Sequence, residues 1–221
     1  MNLPYPLLSE AWYWLAWGLW LPLMLLALRR APWSVFREGE RLHLWLGMVV
    51  VLVLLWSMKA GVKPGLDLHL TGIMLFSLVF ELPLAFVGFN LVLLGLVLNG
   101  ALTWESLALN ALLTAGVGLL LARLLQLGVD RLFPRHFFVF VFLKGFFGAA
   151  LVVMGVGLGF TCLYGLDGIY AWNYLQEEYL PYYLLLGFSE AWISGMVLTL
   201  MLVYRPGWVA TFDQSIYSIG K

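Results

Sequence analysis

Long apolar runs recur along the chain, each closed by charge or by a turn signal. Stretches almost free of charge extend from Ala11 to Leu28, Leu42 to Met58, Leu82 to Trp104, Ser106 to Ala122 and Gly145 to Leu166. Each comes near the roughly 20 apolar residues with which a helix crosses about 30 Å of hydrocarbon. Two further runs carry an ionisable residue: Leu68 to Phe80 includes His69, and Tyr179 to Tyr204 includes Glu190. Alternation of period two is missing and the runs are long, which favours helices over a β-barrel. The pattern therefore predicts an all-α, polytopic bundle of about seven transmembrane helices, the third of them short. Leu82-Pro83-Leu84 leaves almost no loop between the third and fourth segments. Without an internal repeat, low-complexity tract or linker, residues 1–221 read as a single integral membrane domain.

Composition agrees with that reading and removes the soluble alternative. Hydrophobic residues make up 63% of the chain and charged residues 11%, with a mean hydropathy of +0.94, far from the balance of a water-soluble domain. The formal net charge is zero, so no overall field attracts nucleic acid. The apolar start lacks the basic region of a secretory signal and reads as a retained helix. A single cysteine, Cys162, excludes an intrachain disulfide framework and a multi-cysteine zinc site.

Charge placement sets the expected orientation in a cell inner (plasma) membrane. With the N-terminus outside, the cytoplasmic side receives Arg29, Arg30, Arg37, Arg41, Arg123, Arg131, Arg135, Arg205 and Lys221, and the opposite side only Lys59 and Lys63. The excess of Lys and Arg on cytoplasmic loops then gives an outer N-terminus and a cytoplasmic C-terminus. Trp12, Tyr13, Trp14 and Trp17, together with Trp172, Tyr174, Tyr179, Tyr182 and Tyr183, mark expected headgroup boundaries. Small residues on the sixth segment (Gly145, Gly148, Ala149, Gly155, Gly157, Gly159) and the fifth (Ala115, Gly116, Gly118) are expected to face other helices.

Ionisable groups at membrane depth demand partners, which singles out Glu190, Lys144 and His69. Glu190, mid-helix, requires an ion pair or a protonated, hydrogen-bonded carboxyl, and structural pairing is the favoured role for it and for Lys144. Lys144 has the further option of snorkelling to the interface. His69, at the outer end of the short third segment, is a hydrogen-bonded side chain or a nitrogen ligand for a transition metal. Enzyme chemistry is not expected. Ser194-Gly195 lacks the preceding glycine of an intramembrane serine protease, nothing joins Ser194 to His69, and no Walker loop is present.

Four stretches in this order resemble the CbiM/NikM family, the membrane substrate-binding subunits of energy-coupling factor transporters for cobalt and nickel. The opening Met1-Asn2-Leu3-Pro4-Tyr5-Pro6-Leu7-Leu8 is similar to the family's Met-His-Ile-Pro-Asp-Gly-Phe-Leu. His69-Leu70-Thr71-Gly72 is similar to its His-Leu-x-Gly. Asn99-Gly100 followed by Leu107-Ala108-Leu109-Asn110 resembles its Gly-Gly-x-x-x-Leu-Gly-x-Asn segment, and Glu190 with Tyr204-Arg205-Pro206 its closing motif. The resemblance implies a compact seven-helix domain with an outward N-terminus tucked into the bundle, and no resident cofactor. It also implies a nickel or cobalt ion, bound as substrate by nitrogens of the terminal amine of Met1, of the second residue and of His69. Asn110 and Glu190 become structural or substrate-path polar residues. Separate ATPase and transmembrane coupling subunits are the implied partners, besides membrane lipid. Position 2 departs from the family, Asn2 standing where it has histidine; Ala108 replaces a glycine, and Leu113 an asparagine. A membrane subunit on the same scaffold that binds no metal, an assembly or regulatory factor, is the alternative.

Overall fold

The computed structural model describes residues 2–37, 39–58, 60–61, 63–213, 215 and 217. Seven helices are present among these residues: α1 (Glu10–Arg30), α2 (Gly39–Ser57), α3 (Ile73–Val79), α4 (Leu82–Leu98), α5 (Trp104–Leu132), α6 (Phe137–Leu166) and α7 (Trp172–Tyr204). Five of them (α1, α2, α5, α6 and α7) are long and apolar enough to cross a membrane. Helix α4, at 17 residues, meets the lower bound for a span. Helix α3 has seven residues and rises only about 10 Å, so it covers only part of the bundle's depth.

Helix ends depart from the apolar runs in a consistent direction. Helix α5 continues past Ala122 through Arg123 and Asp130 to Leu132, α6 starts at Phe137 rather than Gly145, and α7 starts at Trp172 rather than Tyr179. Backbone hydrogen bonding carries a helix on after its side chains turn polar, whereas the apolar run stops at the first charge. Each of these three helices also includes a wider π-helical segment: Ala111–Val117 in α5, Phe140–Phe147 in α6 and Leu175–Tyr179 in α7. The largest correction concerns Leu68 to Phe80. A two-residue antiparallel ladder pairs Ala60 with Leu68 and Gly61 with Asp67, and His69 follows it in non-helical chain that becomes helix only at Ile73.

Such irregular backbone is tolerated at membrane depth only when protein encloses it. Six of the seven α3 residues are buried, and glycines on the surrounding helices make the room. A Cβ on Gly118 of α5 would stand 2.6 Å from Ile73 Cδ1, and one on Gly148 of α6 would stand 2.8 Å from Met74 Cε. The small-residue faces of α5 and α6 thus seat the half-helix. Around it, α4 is mostly buried, while α1, α2 and α7 turn many large apolar residues outward. That outward apolar surface suits contact with lipid tails.

The bundle has two distinct ends. One gathers the chain start, the 60–72 segment and the α6–α7 connection. The other carries Arg29, Arg30, Arg41, Arg131 and Arg205 with residues 209–213. At this second end Ala210 and Thr211 donate backbone N–H groups to the α3 carbonyls Val79 (3.3 Å) and Leu78 (3.2 Å). Orphan carbonyls at a buried helix end need such donors. Lys59 and Lys221, used in the orientation argument, lie outside the described residues.

Candidate functional site

The chain start enters the bundle because Asn110 receives it. The Asn110 carboxamide accepts from Leu3 N–H (2.8 Å) and donates to the Leu3 carbonyl (3.0 Å), a reciprocal pair that mimics one rung of a sheet. Its amide also donates to Ser106 O one turn earlier (2.8 Å), fixing the rotamer. Tyr13 secures the next residues: its hydroxyl accepts from Leu7 N–H (3.1 Å) and Leu8 N–H (3.3 Å) and donates to Pro4 O (3.0 Å). Asp167, at the end of α6, closes the anchor. It accepts from Ser9 N–H (2.9 Å), Ser9 Oγ (2.8 Å) and Trp12 Nε1 (3.0 Å). Slight burial pushes the Asp167 carboxyl upward, but these three donors outweigh it and hold the group below the usual carboxylate range.

So anchored, Asn2 meets His69. Both are buried, 2% and 4% exposed, and Asn2 Oδ1 lies 3.2 Å from His69 Nε2. Asn2 Nδ2 donates to the Trp56 carbonyl at the end of α2 (3.3 Å), and the Trp56 ring lies 4.7 Å from the imidazole centroid. On the other side of the ring His69 Nδ1 stands 3.1 Å from Leu70 O. The structure therefore brings Asn2 and His69 together, with Asn110 holding the next residue; Met1 lies outside the described residues.

Glu190, 1% exposed, is the anchor for the segment that carries His69. Its carboxyl oxygens accept from Thr71 N–H (2.7 Å), Gly72 N–H (2.6 Å) and Thr71 Oγ1 (3.1 Å), with Ser194 Oγ at 3.5 Å. Gly72 adopts φ +65°, and a Cβ there would press on Leu52 Cδ2 at 2.7 Å. The positive φ favours glycine at the entry to α3. Of the two expected solutions for Glu190, no ion pair is found among the described residues; backbone and hydroxyl donors satisfy it instead. Ser194, on the same helix, directs its hydroxyl to Glu190.

Lys144 does not snorkel. It is 2% exposed, paired with Asp130 Oδ1 at 2.6 Å, and shares that carboxylate with Tyr217 Oη, itself 3.2 Å from Lys144 Nζ. Asp130 was not visible as a partner because it follows the apolar run, but its spacing from Lys144 across the α5–α6 turn was a usable signal. Tyr13, Tyr179 and Tyr183, expected at the headgroup boundary, are buried, and the last two hydroxyls bond each other at 2.6 Å.

Chemically, the buried Asn2–His69 contact offers imidazole nitrogen and amide oxygen. Among the described residues no group of three or more His, Cys, Asp or Glu side chains could share a metal ion. The buried Trp56 indole N–H has no hydrogen-bond partner among them.

Comparison with known proteins places these features in context. The sequence model of a family described as CbiM, cobalt uptake substrate-specific transmembrane region, matches residues 2–208. The fold is similar to the crystal structure of a truncated transition metal transporter, with a TM-score of 0.79, 15% identity, and coverage of 92% of this chain and 99% of that one. No curated protein sequence matches.

Proposed function

Because the chain belongs to the CbiM family of cobalt uptake transmembrane regions, whose members serve metal uptake in the membrane, we propose that it is the substrate-binding subunit of an energy-coupling factor transporter for nickel or cobalt. The observation that carries this reading is the buried meeting of the chain start with His69, Asn2 Oδ1 lying 3.2 Å from Nε2. Cargo would be held by His69 Nε2, the terminal amine of Met1, the Asn2 backbone nitrogen and, weakly, the Asn2 oxygen. The tautomer that donates Nδ1–H to Leu70 O leaves the Nε2 lone pair for the ion, the usual support of a ligating histidine. A separation of 3.2 Å also suits adjacent ligands, which stand about 3 Å apart when each is ~2.1 Å from the metal.

In this reading the membrane is crossed by α4 as well as the five long helices, the half-helix α3 stays inside, and the N-terminus faces outward. Separate ATPase subunits supply the energy through a transmembrane coupling subunit. Asn110 and Glu190 position the two halves of the site. The test is isothermal titration of nickel(II) and cobalt(II) into the detergent-solubilised full chain. Asn2→His is expected to raise affinity about tenfold or more by adding an imidazole donor. His69→Ala and an N-terminal extension that blocks the amine are each expected to abolish binding. No binding by wild type and none gained by Asn2→His would sink the metal reading. The outcome would then favour a subunit that binds no metal, a reading supported by the missing imidazole at position 2.

A further inference from the structure

The end of the bundle that gathers the chain start holds a recess of about 180 Å³, lined by neither Asn2 nor His69. Helix α1 supplies Glu10, Tyr13, Trp14 and Trp17, whose spacing of three, four and seven residues puts them on one face. The chain start adds Tyr5, and the first turn of α5 adds Glu105. Tyr5 and Tyr13 meet edge to face, their ring centroids 5.1 Å apart at 74°, and form a corner. The Tyr13 hydroxyl is taken up by Pro4, Leu7 and Leu8, so only its ring is left for an occupant.

Four rings and two carboxylates make the wall, and both kinds of group attract positive charge, since ring faces carry the negative lobe of the aromatic quadrupole. The carboxylates have no cation of their own. Among the described residues neither Glu10 nor Glu105 makes a hydrogen bond or an ion pair, and the basic residues of α1 lie at its other end. Each acid stands in the first turn of its helix, where the dipole favours negative charge. That accounts for each one singly, but not for two of them meeting at one aromatic recess.

The chemistry of the wall selects among cations. A divalent ion wants about six oxygen ligands or keeps its water, and rings replace neither. A primary ammonium has three N–H donors to satisfy, for which ring faces are poor acceptors. A quaternary ammonium has no N–H and presents methyl groups to the rings, as in aromatic cages. Size agrees: at about 30 Å³ for each group of water's size, a recess of about 180 Å³ takes a nitrogen, its three methyl groups and the next methylene. Drug-sized ligands, which need upwards of about 300 Å³, are too large.

We propose that this recess binds a quaternary ammonium group, its methyls against Trp14, Trp17 and the Tyr5–Tyr13 corner and its charge balanced by Glu10 and Glu105. Such a group arrives on a choline-type solute or as the headgroup of phosphatidylcholine at the membrane boundary. Because Tyr13 also holds Pro4, Leu7 and Leu8, the occupant braces the chain start that carries Asn2.

The probe is choline, titrated into the full chain in dodecyl maltoside, a detergent without ammonium, and followed by saturation-transfer NMR of its N-methyl protons. Saturable binding with a Kd on the order of 1–10 mM is expected from a few exposed ring contacts. Dimethylbutanol, the uncharged carbon isostere of choline, should bind at least about tenfold more weakly. Trp14→Leu and Trp17→Leu should each weaken choline about two- to fivefold, and Glu10→Gln and Glu105→Gln about fivefold each. Trp104→Leu, replacing an exposed tryptophan of the same end that lies outside the lining, should bind as wild type does. Glu10, Trp14 and Glu105 are exposed, so their replacement leaves packing intact, which circular dichroism checks. Nanodiscs separate the two sources. Choline binding that is present in phosphatidylglycerol discs and lost in phosphatidylcholine discs assigns the recess to the lipid headgroup, and binding in both assigns it to a free solute. No metal enters the experiment, so its result is independent of the nickel or cobalt reading. Absence of saturable binding, equal affinity for choline and dimethylbutanol, or choline binding unchanged by both Trp14→Leu and Glu105→Gln would overturn the proposal.

Discussion

Glu190 organises the centre of the molecule through donors four or more elements of chain away, and its replacement separates charge from shape. Leucine would leave the N–H groups of Thr71 and Gly72 without acceptors in a dry interior, at about 1–3 kcal/mol for each. Glutamine keeps one acceptor oxygen and turns an amide toward the other donor, costing roughly 1–2 kcal/mol. Glu190→Gln should therefore accumulate in membranes and melt only slightly earlier than wild type, while Glu190→Leu should accumulate poorly. Equal, wild-type accumulation of both would show that the residue needs no polar partner. The sequence made the need for partners at Glu190 and Lys144 plain, because lipid tails offer none. It could not name them, since Thr71 lies 119 positions from Glu190 and Asp130 stands beyond the apolar run that drew attention to Lys144.

Among the elements, the chain start is the one with the least structure of its own. Residues 2–9 contain no helix, so side chains from α1, α5 and α6 supply their hydrogen bonds. Asp167 contributes as a carboxylate, and its folded value lies below the ordinary 3.8 of an aspartate. The sign follows: its stabilisation is present above about pH 4 and is lost as pH falls through the lower folded value. Exposure screens the interaction, leaving about 1 kcal/mol. Wild type should melt above Asp167→Asn at pH 7, and the difference should shrink steadily as pH falls below about 4. A difference that persists there would mean that Asp167 acts through shape rather than charge. Element scale is also where periodicity reached its limit. Apolar runs located all seven helices because a bilayer demands them, and the shortness of the third was visible in its length. That His69 precedes the helix was not, because the Thr71 and Gly72 backbone is held by Glu190 and by the positive φ of Gly72, neither of which leaves a periodic trace. Tyr13, Tyr179 and Tyr183 carry the composition of a boundary but are buried, since their hydroxyls found partners inside.

For the whole molecule, alternation of helix direction places Leu166, at the end of α6, beside the chain start, and Leu132, at the end of α5, among the arginines. The two ends differ in Lys and Arg far more than in Asp and Glu, and only the basic residues govern insertion. Arg29, Arg30, Arg41, Arg131 and Arg205 share the second end, and the cytoplasmic side is the one that retains such clusters. Both leucines are exposed, at 73% and 78%, so cysteine at either position leaves packing intact, and Cys162→Ser removes the native thiol. In that background Leu166→Cys should react with a membrane-impermeant maleimide on intact cells, and Leu132→Cys only after permeabilisation. Reaction of both on intact cells would mean that α6 does not cross the bilayer. The reverse pattern would turn the bundle over, and would put Asn2 and His69 on the cytoplasmic side, where an uptake system could not collect its cargo.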